Sequence, residues 1–343
     1  MASPILNTAC RFLLLGALGP GLLGFTPRTG LAQGDPIVIK LATLAPRNSE
    51  FHEFLKDLGN RWDSASGGRV KLKIFPGGIV GEEDDVLRKM SLGQLHAGAL
   101  TIAGLQRVTH AITVLGIPMA MEDEESFARV REVMEPKLEE LFLEEGYVVL
   151  HWVHAGWCRF FLPDPDASIA TVRDYSFVTW GEGETIDLWE REGFKGVVLN
   201  LAEVTVSLQT GLVDAINTTP LVVASNHWFP WVPYMIDMPW APLSGATLVD
   251  RDTWERIPED LRPELHRIAR EVGEGMQASI LDLENQAIEI MKTHGLEVIE
   301  PSPHVLQEWT EFFVGAYPNL RGPVIPEDWF DLAIKAARGT GGG

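Results

Sequence analysis

The chain has 343 residues, 45% of them hydrophobic, with 28 basic and 48 acidic side chains and a formal net charge of −20. Such a length suits two domains of roughly 100–200 residues each. So acidic a surface repels phosphate backbones and anionic lipid, which removes nucleic acid from the expected partners.

The first 32 residues read as an export signal. Arg11 precedes the apolar run FLLLGALGPGLLGF, and Gly30-Leu31-Ala32 supplies the small residues of a cleavage site near Ala32. The run is interrupted by Gly and Pro and falls short of the roughly 20 residues of a membrane span. A periplasmic mature chain is therefore expected, with 26 basic against 48 acidic side chains, a net charge of −22. Cys158 is then the remaining cysteine of the two in the sequence, so no internal disulfide is expected. A lone thiol of this kind reads as a packing residue.

The mature chain opens with IVIKLATLAP, whose Ile37, Ile39 and Leu41 alternate as in a strand. Behind an Asn48-Ser49 cap, Phe51, Phe54, Leu55, Leu58 and Trp62 recur at helical spacing. Val70, Leu72 and Ile74 predict a second strand, Val86, Leu87 and Met90 a short helix stopped at Gly93, and 97–103 a third strand. Strands alternating with helices imply an α/β fold with a largely parallel sheet, whose ligands gather at the carboxyl ends of the strands. The loops after Ala45, Ala103 and Leu115 become candidate rims, and Ser49 joins the candidate ligand set. Pro136 is expected to begin a helix ending at Gly146. The apolar run YVVLHWVHAGWCRFFL is long enough to leave one lobe and enter another, with Trp152 and Trp157 dividing between core and cleft.

The second lobe holds a strand at 177–180. The stretch NLAEVTVSLQTGLVDAINTTP then reads as a helix carrying Val204 and Leu208, a stop at Gly211, and a buried strand LVDAI. That strand delivers Asn217, Thr218, Thr219 and Pro220, a cluster of neutral amide and hydroxyl groups locked by a proline. The segment NHWFPWVPYMIDMPWAPLSG is too rich in proline for a regular helix and too apolar for a free loop, so it must be packed. Trp240 is the ring of this segment expected to line a cleft. Between 261 and 294 runs an uninterrupted helical pattern, about 50 Å long at 1.5 Å per residue, which would have to brace both lobes.

These motifs together resemble the solute-binding proteins of tripartite ATP-independent periplasmic (TRAP) transporters, the dicarboxylate-receptor-like group. The resemblance covers about 36–330. It rests on Ala202-Glu203-Val204, Leu208-Gln209-Thr210-Gly211 and Val213-Asp214, on Gly156 and Arg159 ahead of Ser168-Ile169-Ala170, and on Trp254 followed by Ile257-Pro258-Glu259-Asp260-Leu261. It implies a two-lobed periplasmic-binding-protein fold (type II-like) with crossing hinge strands. Lobe I would comprise 36–153 and 219–262, lobe II 154–218 and 275–330, bridged by the helix 261–294, with 331–343 a helix end and disordered tail. It also implies a small organic solute in the interlobe cleft, a membrane permease driven by an ion gradient as partner, no cofactor, and a ligand role for Arg159.

One position departs from the pattern. The resemblance places a second, carboxylate-binding arginine at Val178. A buried carboxylate deprived of its partner costs about 3–5 kcal/mol, so either the ligand is not a simple carboxylate or Arg159 alone carries it. The segment Val178-Thr179-Trp180-Gly181-Glu182-Gly183 instead resembles a subgroup in which an aromatic and an acidic residue replace the arginine and which is linked with a periplasmic helical-repeat partner. Trp180 would offer a flat apolar face and Glu182 a hydrogen-bond acceptor. An enzyme is the first alternative, but the sequence has no His-Glu-x-x-His and no Gly-x-Ser-x-Gly, and His151 and His154 lie three apart on a strand, a poor metal pair. A periplasmic carrier or sensor with the same fold and no permease is the second.

Overall fold

The computed structural model of the chain describes residues 35–180 and 189–339. Its strands, among the described residues, are β1 (Ile37–Thr43), β2 (Val70–Phe75), β3 (Ala97–Thr101), β4 (Tyr147–Leu162), β5 (Ser176–Thr179), β6 (Lys195–Val198), β7 (Ala215–Thr218), β8 (Tyr234–Ile236), β9 (Ala241–Asp250) and β10 (Glu297–Ile299). They run in the order β2-β1-β3-β9-β4-β7-β5-β6, with β8 on β4 and β10 on β8.

The strand β4 makes one molecule of two sheets. Its residues from Tyr147 to Cys158 pair antiparallel with β9, whereas Arg159 to Phe161 pair with β7 and Phe161 to Leu162 with β8. The register slips between Val149 and His151 and again between His154 and Trp157. Gly156 sits in the second irregularity at φ +96°, a conformation that disfavours any side chain. The long helix Arg262–Thr293 spans both halves, about 48 Å. Its Leu265, Ile268 and Val272 pack with Leu55, Trp62 and Leu150, while Met291 joins Phe161, Val178 and Ile216 in the core of the other half.

Four local expectations need correction. The sheet is mixed, because β4 and β9 both run antiparallel to their neighbours. The expected start of a helix at Pro136 is displaced: the helix Glu124–Glu144 starts at a capping box of Asp123 and Ser126 and carries Pro136 inside it. The third strand ends at Thr101, and Ile102–Leu105 is helical. After Gly211, a left-handed helix cap at φ +71°, β7 starts at Ala215 and includes Asn217 and Thr218, so these are strand residues rather than a loop. The closing helix Glu327–Arg338 packs Phe330 and Ala333 into the core that holds Phe127 and Val130.

Candidate functional site

A cavity of about 560 Å³ lies between the two sheets, within the range of small-molecule sites. One wall is built by β4 and β9 through His151, Val153, Ser244 and Thr247. The facing wall carries Trp180, Asn217 and Thr218, the long helix adds Val272 and Met276, and the helix Pro303–Gly315 adds Phe312 and Phe313. Its lining is mainly apolar. Among the described residues of the lining, four carboxylates (Glu82, Glu83, Asp84, Glu192) stand against two guanidinium groups, Arg107 and Arg191. Arg107 makes two bonds to Asp84, at 2.9 and 2.7 Å. Glu83 accepts from the Thr101 N–H at 2.6 Å and the Thr101 hydroxyl at 2.7 Å, and its burial raises its carboxyl above the usual range.

Four sequence candidates come together on this lining: Trp180, Asn217, Thr218 and Trp240. Pairing of β7 with β4 puts Thr218 opposite Arg159 and Asn217 opposite Phe160. Trp180 donates its indole N–H to the Asn217 carbonyl at 2.9 Å and stacks on the buried Trp228 at 6.3 Å. Trp240 lies flat on Phe313 at 5.4 Å with 6° between the planes, and Trp189 meets it edge-on at 5.8 Å. Thr219 and Pro220 stand off the lining. They begin the helix Pro220–Ser225, Thr219 accepting from the Val222 N–H and Pro220 occupying the first turn, where its missing N–H costs nothing. Ser49 likewise caps the helix Glu50–Ala65 and accepts from the His52 N–H at 3.4 Å. Trp157 is buried and donates to Glu124 at 2.6 Å. Glu182 lies outside the described residues.

Arg159 is also absent from the lining. Its guanidinium lies 3.3 Å from Asp237 and 3.7 Å from Glu284 and donates to the Trp157 carbonyl at 3.3 Å. Glu284 reaches β4 from the long helix, accepts the Trp157 N–H at 3.1 Å, and fills the space that a side chain at Gly156 would need. Burial pushes its carboxyl up to about 7 against the opposing pull of Arg159 and the Trp157 N–H. Val178 is fully buried, packed with Phe161 and Ile216.

Several lining residues escape a reading of the sequence. His151 is legible there only as half of a poor metal pair, and Thr247 lies on β9, hidden behind the proline-rich segment. His151 Nε2, Thr247 Oγ1 and Trp240 Nε1 are buried and have no hydrogen-bond partner among the described residues. Cys158 lines the cavity too, and burial pushes its thiol up to about 12, too high for a nucleophile at neutral pH.

Two α/β halves joined by a crossing strand and a long helix, with an apolar cavity between them, define a two-lobed solute receptor. The sequence profile of the bacterial extracellular solute-binding proteins, family 7 (DctP), matches residues 41–320, and the chain belongs to that family, whose members are receptors of TRAP transport and not enzymes. It is 20% identical over 306 residues to the C4-dicarboxylate-binding periplasmic protein DctP of Vibrio cholerae, covering 88% of this chain and 92% of that one. Its fold matches a TRAP periplasmic solute-binding protein of Shewanella oneidensis with bound succinate, at a TM-score of 0.82, 16% identity and coverage of 88% and 99%. It matches equally a receptor of Bordetella pertussis binding pyroglutamic acid, at a TM-score of 0.81, 14% identity and coverage of 88% and 99%.

Proposed function

We propose that this chain is the exported receptor of a TRAP-type permease, cleaved near Ala32, and that it captures a small organic solute with a flat or apolar body between its lobes. The observation that carries this reading is the cavity itself: Trp180, Trp240 and Phe313 form its walls while Arg159 is held by Asp237 and Glu284 off the lining. The excess of carboxylates over guanidinium groups among the described residues of the lining further disfavours a dianion. Closure would bend β4 near Gly156 and can be driven only by a ligand that binds the closed form better. The permease subunits are partners in this reading, and a periplasmic helical-repeat protein is a further one. Genes for a small and a large membrane subunit beside this one favour transport over a free-standing carrier or sensor.

A second reading is an organic acid. Both structures matched in fold above hold acids, and Arg107 and Arg191 lie on the lining. Thermal unfolding against a solute panel separates the two. Neutral flat or apolar solutes are expected to raise the midpoint, and succinate and other dicarboxylates to leave it unchanged. The reverse order would favour the acid.

A further inference from the structure

The wall formed by β4 and β9 carries two polar atoms with no partner among the described residues. His151 and Thr247 are direct partners in the antiparallel register, so both side chains emerge on one face of the sheet. His151 is 5% exposed and Thr247 fully buried, yet both border the cavity, and neither His151 Nε2 nor Thr247 Oγ1 meets a partner among the described residues. Buried polar atoms in native proteins are nearly always satisfied, so a neighbouring pair left open on a cavity wall points to a group that arrives from outside.

The chemistry of that group follows from the imidazole. His151 Nδ1 faces the Trp152 carbonyl at 3.4 Å, and a carbonyl can only accept, so the ring proton sits on Nδ1. Nε2 then presents a lone pair. Burial pushes this imidazole down to about 4, which keeps it neutral at physiological pH. The long helix passes close to the ring at Gly273, where a side chain would come within 2.8 Å of the His151 Cβ and 3.0 Å of Nδ1. Val272 and Met276 beside it are apolar.

We propose that His151 and Thr247 form a neutral subsite that accepts a hydrogen-bond donor, a hydroxyl or N–H, at one end of an otherwise apolar solute. The proposal rests on the reading that this cavity binds such a solute. An ionised carboxylate is the wrong group here, because its oxygens would meet the Nε2 lone pair.

The test uses two probes of one shape, 2-naphthol, which can donate, and 2-methoxynaphthalene, which cannot, with binding followed by calorimetry on the full mature chain. Wild-type protein is expected to prefer 2-naphthol by about tenfold, the factor of one well-made hydrogen bond. In Thr247→Val the preference falls at least about threefold, and the midpoint of the empty protein rises by about 2 °C, because a buried unpaired hydroxyl is gone. A purely structural threonine would instead lower that midpoint. His151→Leu removes the preference, and Thr247→Val, nearly isosteric, keeps the test valid if His151→Leu does not fold. Equal affinities for the two probes in wild type, or an unchanged preference in Thr247→Val, would overturn the subsite and leave the apolar-solute reading standing. Binding of neither probe would overturn both.

Discussion

Replacing Glu284 by Gln should change how stability depends on pH. The carboxyl is held at about 7 in the folded chain against 4.5 for an exposed glutamate, with burial as the main cause. Arg159 and the Trp157 N–H pull it down, and Glu124 adds to the rise. Between pH 4.5 and 7 the folded state therefore binds more protons at this site than the unfolded state, so the contribution of Glu284 to stability falls as pH rises through that interval. A shift of this size corresponds to about 2–3 kcal/mol between pH 5 and pH 8. Gln keeps the carbonyl that accepts from Trp157 and has no charge to bury. Relative to wild type, Glu284→Gln should gain about 2–3 kcal/mol on going from pH 5 to pH 8, or roughly 5 °C in unfolding midpoint. The difference between the two proteins is the quantity to read, because His151, depressed to about 4, acts with the opposite sign: its share of stability is lost as pH falls from 6.5. Parallel pH profiles for Glu284→Gln and wild type would refute the buried-carboxylate argument.

Arg159→Ala should destabilise the protein by about 3 kcal/mol at pH 8 and much less at pH 5, where Glu284 is protonated, since it strands a buried carboxylate; urea unfolding at the two pH values measures this, and the reading of the cavity expects solute affinity to change little. Trp240→Ala removes a ring stacked on Phe313 and Phe160 and is expected to cost about 3 kcal/mol and to weaken solute binding at least tenfold, measured by unfolding and calorimetry. Gly211→Ala forces a side chain into a left-handed helix cap at φ +71° and should cost about 1 kcal/mol while leaving binding intact, which thermal unfolding and calorimetry together check.

The long helix was legible because Leu265, Ile268, Val272 and Met276 keep one period with no interior break, and the crossing strand because nothing interrupts its apolar run before Pro163. What sequence periodicity misses is pairing between distant segments. β9 follows a proline-rich stretch and is buried on both faces, so no alternation of apolar and polar residues develops in APLSGATLVD, and neither the antiparallel centre of the sheet nor Thr247 can be read from it. Thr219 and Pro220 attract attention as a polar cluster, but their sequence is equally that of a helix start, which is the use the fold makes of them. Arg159 is conspicuous in sequence; its two acidic neighbours, Asp237 and Glu284, reach it from segments far along the chain. Trp180 and Trp240 both line the cavity, the first directly after β5 and the second directly before β9.

The central claim, that the cavity takes a solute with an apolar body rather than a simple dicarboxylate, is tested most directly by native mass spectrometry of the protein purified without refolding, followed by release and identification of the bound molecule. A neutral or largely apolar compound, retained by Arg159→Ala as well as by wild type, is the predicted result. A bound dicarboxylate that Arg159→Ala no longer retains would contradict it.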